Sequence, residues 1–244
     1  MKISVIVPVF NMESWVGDTI QSILDQTYRD FELIIVNDGS TDSTLKVIDN
    51  FIDYRIKVLH NTLNQGAVKA LNKGIRASKG QFISNIAADD LWTKDSLEVR
   101  LNAIKDHSLI CGQAVKIAQD TTLNEALLMA TKPARRKRYF YGPTSLIRRD
   151  VFSQYGLFDE NLIEKSDREM WVRLFGPDRQ RRDRGTYKCL NQVIGMVRIR
   201  PESIQHSFKD KPLSYRQQVL ETYKRLVDQR QNEITDVEFL KGDE

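Results

Sequence analysis

The chain of 244 residues carries a formal net charge of +4 and is 41% hydrophobic, long enough to bury its own core without help from cross-links. Its two cysteines, Cys111 and Cys189, lie far apart in sequence and form no CxxC or Cys/His spacing, so neither a disulfide framework nor a zinc site is indicated and a reducing, cytoplasmic setting is expected. No apolar run reaches the roughly 20 residues of a membrane span, and Met1 leads straight into ISVIVPVF rather than a leader sequence, which predicts a soluble or peripheral protein.

Short β-branched runs alternate with helical spacing through the first hundred residues. Strands are predicted at ISVIVPV, FELIIVN, RIKVLHN and QFISNIA, the first two almost continuously apolar, as in strands covered on both faces. Between them, Asn11 is expected to cap a helix carrying Val16, Ile20, Ile23 and Leu24. Asp42 or Ser43 is expected to cap one carrying Leu45, Ile48 and Ile52. Further helices fit Gly66 to Ala77 and Lys94 to Lys105. The strand ends at Pro8, at Asn37 and Asp38, and at Ala87 to Asp90 then share the carboxyl edge of one mainly parallel sheet, the edge where open α/β sheets bind ligands.

After Asp106 the rhythm changes. SLICGQAVKIAQ reads as a strand, a less regular stretch runs to Tyr141 and a mixed region to His206, and Leu213 to Arg230 closes the chain as a charged amphipathic helix. One domain is expected over 1–244: a nucleotide half at 1–110, an acceptor and base half at 111–206, and a helical segment at 207–244. The halves differ in charge, 13 Lys/Arg against 15 Asp/Glu for residues 1–120 and 24 against 18 for the remainder.

Neither a GxGxxG turn nor a GxxxxGK[ST] loop is present, so phosphates are not held by a glycine-rich turn of either kind. The alternative is Ala87-Ala88-Asp89-Asp90. Two adjacent carboxylates suit Mg²⁺ or Mn²⁺ bridging a diphosphate, although taken alone they read first as a solvated turn that caps the next helix. The run Val36-Asn37-Asp38-Gly39-Ser40-Thr41-Asp42-Ser43-Thr44 reads as a turn and cap, or as a loop in which Asp38 accepts the N3–H of a uracil ring. His60, His107 and His206 lack ligand spacing, and Trp15 and Trp92 read as packing residues.

The stretches ISVIVPVFNMESWVGDTIQSILDQTYRDFELIIVNDGSTDST and NQGAVKALNKGIRASKGQFISNIAADD, with YGPTSLIRRDVFSQYGLFDENL, SDREMWVRL and VRIRPESIQ after them, resemble the family-two inverting glycosyltransferases, whose fold is called GT-A. The resemblance implies an α/β enzyme that moves a sugar from a UDP-sugar to a hydroxyl acceptor with a divalent cation, in a setting such as polysaccharide biosynthesis. By position it implies a donor nucleotide site at Pro8, Val9, Asn11, Asp38, Asn64, Gly66, Lys69 and Asp89, with Asp90 as metal ligand. Asp167 matches the catalytic base that takes the hydroxyl proton; without the resemblance it reads first as a plain helix cap. Trp171 is a candidate to face the acceptor.

Four positions depart from the family pattern: Ala87, Ser166 and Leu71 replace an aspartate, a glutamate and an arginine, and Arg200 stands where a histidine is usual. Arginine cannot ligate a metal but can pair with a diphosphate directly. Lys132, Arg135, Arg136, Lys137, Arg138, Arg148 and Arg149 form a basic segment, followed by Arg179, Arg181, Arg182 and Arg184. Solvated loops account for such runs. So does an anionic acceptor, with Arg135, Arg136 and Arg138 as its contacts, an anionic membrane surface or a nucleic acid. Tyr139, Phe140 and Tyr141 fit stacking or a buried strand. A catalytically silent sugar- or nucleotide-binding module of the same fold, and a nucleic-acid-modifying transferase, are the competing readings; donor hydrolysis without acceptor discriminates the first.

Overall fold

The computed structural model describes residues 2–130, 144–162, 166–175, 186–200 and Glu221. The first half alternates β1 (Ile3–Val9), α1 (Val16–Leu24), β2 (Phe31–Asp38), α2 (Thr44–Asp49), β3 (Ile56–Asn61), α3 (Ala67–Ala77) and β4 (Phe82–Asn85). A two-residue strand β5 (Leu91–Trp92), helix α4 (Ser96–Ile104), the long strand β6 (Leu109–Ala118) and α5 (Leu123–Ala130) follow. The remainder holds β7 (Leu146–Arg148), α6 (Arg149–Tyr155), α7 (Ser166–Phe175) and β8 (Tyr187–Ile199).

The strands form one sheet in the order β3-β2-β1-β4-β7-β6-β8-β5. β3, β2, β1 and β4 are parallel, joined through helical crossovers, while β7 runs antiparallel to both β4 and β6. β6 and β8 are parallel, and β5 pairs antiparallel with β8. The mainly parallel α/β sheet expected from the sequence is therefore present, widened by a mixed half.

Alternation along the strands separates two cores. Ile3, Val5, Val7 and Val9 of β1 face α1, α2 and α4, where Val16, Ile20, Ile48 and Leu97 complete one apolar layer. Ile6, Ile34 and Val36 face the other side, against Val68 and Ile75 of α3, Val151 and Phe152 of α6, and Met170 and Leu174 of α7. A smaller cluster of Leu91, Ile117, Ala126 and Met196 seats α5 on β5, β6 and β8.

Three local expectations change. Asn11 does not cap α1, because that helix starts only at Val16 and Asn11 sits in the left-handed region at φ 51°, a conformation asparagine tolerates better than most residues. Ile52 lies beyond the end of α2 and is 99% exposed. Cys111 and Cys189, distant in sequence, are paired residues on β6 and β8. The expected helix from Leu213 to Arg230 lies outside the described residues apart from Glu221.

Candidate active site

The loops after β1 and β2 are stitched together at the carboxyl edge of the sheet. The Asn11 N–H donates to Ser40 Oγ at 3.1 Å, and the Asn11 carboxamide oxygen accepts from the Thr41 N–H at 2.8 Å. The Met12 N–H donates to Thr44 Oγ1 at 2.7 Å, and Glu13 accepts from the Ser43 N–H at 2.7 Å. Asn11 is thus spent on holding one loop to the other, whereas Ser43 takes the N-cap position of α2 and Asp42 Oδ1 accepts from the Thr44 N–H at 2.9 Å. Gly39 lets the second loop close: its φ is +74°, and a Cβ there would lie 2.7 Å from the carbonyl carbon of Leu63, which glycine alone avoids.

Asp38, at the end of β2, is 2% exposed. Its carboxylate accepts from Asn61 Nδ2 at 2.6 Å, from the Gln65 N–H at 3.1 Å and from the Gly66 N–H at 2.8 Å. The same side chain that the resemblance assigns to a base therefore shapes the 61–66 loop. Asn64 and Lys69 are exposed beside it and Gly66 opens α3 at φ +97°. Pro8 is half-buried at the loop mouth, whereas the Val9 side chain is 2% exposed and turned into the core. Only the Val9 backbone remains on the site side of the expectation.

Asp89 and Asp90 occupy the turn between β4 and β5, where the Asp90 N–H donates to the Ala87 carbonyl at 3.1 Å. They are 7% and 4% exposed, so the solvated-turn reading does not hold. The chain that encloses them is β8. The Arg198 N–H donates to Asp90 Oδ1 at 3.0 Å, and its Nε donates to the Asp89 carbonyl at 3.1 Å. Arg198 Nη1 also reaches the carbonyls of Gln119 at 2.8 Å and Thr121 at 2.7 Å. Arg200 Nε donates to Asp89 Oδ2 at 2.7 Å, and its guanidinium carbon lies 4.6 Å over the Trp15 ring. Trp15 is thus a platform for a cation as well as a packing residue, its Nε1 donating to the Gln119 carbonyl at 3.1 Å.

Burial, and then the Asp89 charge beside it, push the Asp90 carboxyl well above its ordinary range, against the Arg198 N–H and the two guanidinium charges, which lower it. Two buried carboxylates held side by side fit a divalent cation, which relieves that repulsion. Among the described residues no group of three acidic, histidine or cysteine side chains gathers. That donor set suits a cation that brings most of its ligands with a phosphate and water, as Mg²⁺ does.

Asp167 lies in the first turn of α7 and is half-buried. The helix is anchored by a pair that the sequence did not disclose. Glu169 is fully buried and receives Arg173 Nε at 2.6 Å and Nη2 at 2.9 Å, while Arg173 Nη2 also donates to the Leu157 carbonyl at 2.8 Å and Nη1 to the Tyr155 carbonyl. An acid and a base four residues apart on one helix was the available signal. Trp171 is 7% exposed and packs in the apolar cluster with Met170 and Leu174, so the structure gives its ring a core position rather than an acceptor-facing one. Leu71, in place of the family's arginine, is buried in the same cluster.

A cavity of about 690 Å³ opens between α3 and the α6–α7 connection, lined by Asn72, Arg76, Glu160 and Arg173 among others. None of the candidate aspartates lines it. Arg135, Arg136 and Arg138 lie outside the described residues, as do the arginines at 179, 181, 182 and 184.

Residues 4–158 match Glycosyl transferase family 2. An uncharacterized glycosyltransferase of Haemophilus influenzae is 35% identical over 131 residues, 53% of this chain and 52% of that protein. A putative teichuronic acid biosynthesis glycosyltransferase of Bacillus subtilis, TuaG, is 38% identical over 108 residues, 43% of each chain. The aligned stretch thus spans about half the length of these curated relatives or less. Among solved structures, S. aureus TarS in complex with UDP-GlcNAc superposes with a TM-score of 0.71 at 21% identity, over 94% of this chain and 66% of that one. The mannosyltransferase PcManGT of Pyrobaculum calidifontis, in complex with GDP-Man and Mn²⁺, superposes with a TM-score of 0.63 at 18% identity, over 84% and 59%. With the sheet order, the paired aspartates and the family match in agreement, the chain belongs to glycosyl transferase family 2 and has the GT-A fold.

Proposed function

We propose that this protein transfers one sugar from a UDP-sugar to a hydroxyl acceptor with inversion at the anomeric carbon. The observation that carries the reading is the buried pair Asp89 and Asp90 at the carboxyl edge of the sheet, with Arg198 of β8 and Arg200 just past its end closed over it. Asp90 would hold a divalent cation, Mn²⁺ or Mg²⁺, which supplies charge to a departing diphosphate. Arg200 adds a fixed positive charge beside the same carboxylates, suited to the diphosphate.

Asp38, Asn64, Gly66 and Lys69 border the space assigned to the nucleotide, with the backbone at Pro8 and Val9 and the loop held by Asn11. Asp167 accepts the acceptor's proton as its oxygen attacks from the face opposite the diphosphate. The Glu169–Arg173 pair positions the helix that carries it. An anionic acceptor is the reading favoured by the basic residues between Lys132 and Arg149, including Arg135, Arg136 and Arg138.

The donor base is tested by thermal shift with UDP, GDP and their sugars, with and without Mn²⁺, because a ligand of the folded state raises the melting temperature. Stabilisation by UDP with Mn²⁺, and none by GDP at equal concentration, is the expected result. The reverse preference would remove the uracil assignment of Asp38.

A further inference from the structure

Cys111 and Cys189 stand opposite each other in the parallel pairing of β6 with β8, 78 positions apart in sequence, and their sulfurs are 2.8 Å apart. Paired residues on parallel neighbours leave the sheet on the same side, and a strand spacing of about 4.8 Å falls within the Cα separation that a disulfide bridges. Both side chains lie in the apolar layer that also holds Met170 and Leu174 of α7. Cys111 is 1% exposed, while Cys189 is half-buried and reaches the rim of that layer.

We propose that Cys111 and Cys189 form a reversible disulfide site, closed by low-molecular-weight disulfides of the glutathione class. The unequal exposure sets the order of events. The Cys189 thiolate attacks one sulfur of the small disulfide, whose S–S bond breaks and releases one small thiol. The Cys111 thiolate, already in contact, then attacks the Cys189 sulfur and displaces the second small thiol. Two protein thiols are oxidised, one small disulfide is reduced to two thiols, and the two cysteine protons end on those thiols. Closure brings the sulfurs to about 2.05 Å, so the strands need move by less than about 1 Å.

The bond closes residues 112–188 into a loop that contains β7, α6 and α7, including the helix that bears Asp167. It also fixes the start of the strand that leads to Arg198 and Arg200. Tying down so long a segment restricts the unfolded chain more than the folded one, which raises the melting temperature.

The reduced, folded protein is incubated with oxidised glutathione, its remaining thiols are alkylated under denaturing conditions, and the intact mass and disulfide-linked peptides are measured. The expected result is the loss of both thiols together, a mass lower by two hydrogens, and a peptide linking Cys111 to Cys189, all reversed by reductant. The melting temperature should rise by several degrees in the oxidised form. Cys111→Ser should instead stop at a stable glutathione adduct on Cys189. A stable adduct on Cys189 of the unsubstituted protein, two thiols that remain fully alkylatable, or a melting temperature that falls when the bond forms would each overturn the proposal. The readout needs neither donor nor acceptor, so it stands apart from the assignment of sugar transfer.

Discussion

Arg200 and Asp89 form a buried ion pair, Nε to Oδ2 at 2.7 Å, with both side chains at most 10% exposed. It joins the end of β8 to the turn after β4 and leaves Trp15 on the outer face of the guanidinium. Removing one partner strands the other charge out of water. Arg200→Ala should therefore lower stability by about 3 kcal/mol in urea titration, and should weaken UDP binding. The double variant Arg200→Met with Asp89→Leu should recover most of the stability without recovering UDP binding. A loss in the double variant equal to the sum of the losses of the two single variants would show that the pair is not coupled.

Asp90 predicts a pH dependence with a definite sign. Its folded-state value lies well above the ordinary value near 3.8, so the folded protein binds more protons than the unfolded chain between those two values. The metal-free protein should accordingly lose stability as pH rises from about 4 through the raised value, and the loss should be reversed by Mn²⁺ at neutral pH. Asp90→Asn keeps an oxygen for the Arg198 N–H and removes the buried charge. It should be more stable than the unsubstituted protein at pH 8 without metal and should gain nothing from Mn²⁺; a Mn²⁺ shift of undiminished size in this variant would place the cation elsewhere.

Glu169 is fully buried and Arg173 is its bidentate partner, with further bonds from Arg173 to the 155–157 turn. Arg173→Lys supplies a charge but not the planar fork, so it should destabilise the fold nearly as much as Arg173→Ala, by about 3 kcal/mol. Transfer should fall along with stability, since α7 also carries Asp167. Full stability of Arg173→Lys would show that charge alone sets the helix.

Gly39 has a positive φ and a backbone neighbour 2.7 Å from where a Cβ would stand. Gly39→Ala should cost roughly 1–3 kcal/mol through backbone strain and displacement of the Leu63–Asn64 backbone. The same displacement moves the loop that Asp38 holds, so UDP affinity should drop even where the protein remains folded. Calorimetric binding at a temperature well below unfolding checks the two effects separately.

The first half of the molecule was legible because its signals are local. Continuous apolar runs mark β1 and β2, helical spacing marks α1 and α3, and strand-to-helix turns place Asp38, Asp89 and Asp90 on one edge. Asn11 misled for a physical reason: an asparagine before a helix resembles a cap, but here it adopts the left-handed region and its side chain bonds Thr41. What the sequence concealed is long-range. Arg198 meets Asp90 across 108 positions because β8 pairs with β5 and β6, and no periodicity in VRIR announces a buried guanidinium spread over four backbone carbonyls. The pairing of Cys111 with Cys189 was hidden in the same way, since strand register is a property of the sheet rather than of either strand.

The proposed role of Asp167 as a base in a single displacement is tested most directly by the anomeric configuration of the first product. With an α-linked UDP-sugar, Mn²⁺ and water as acceptor, proton NMR during early turnover should show the β-anomer of the released sugar first, the α-anomer following only by mutarotation. Asp167→Asn, which keeps the size and one oxygen of the side chain, should bind UDP as the unsubstituted protein does while turnover falls by roughly 10²–10⁴-fold. The α-anomer appearing first, or undiminished turnover in Asp167→Asn, would contradict the mechanism.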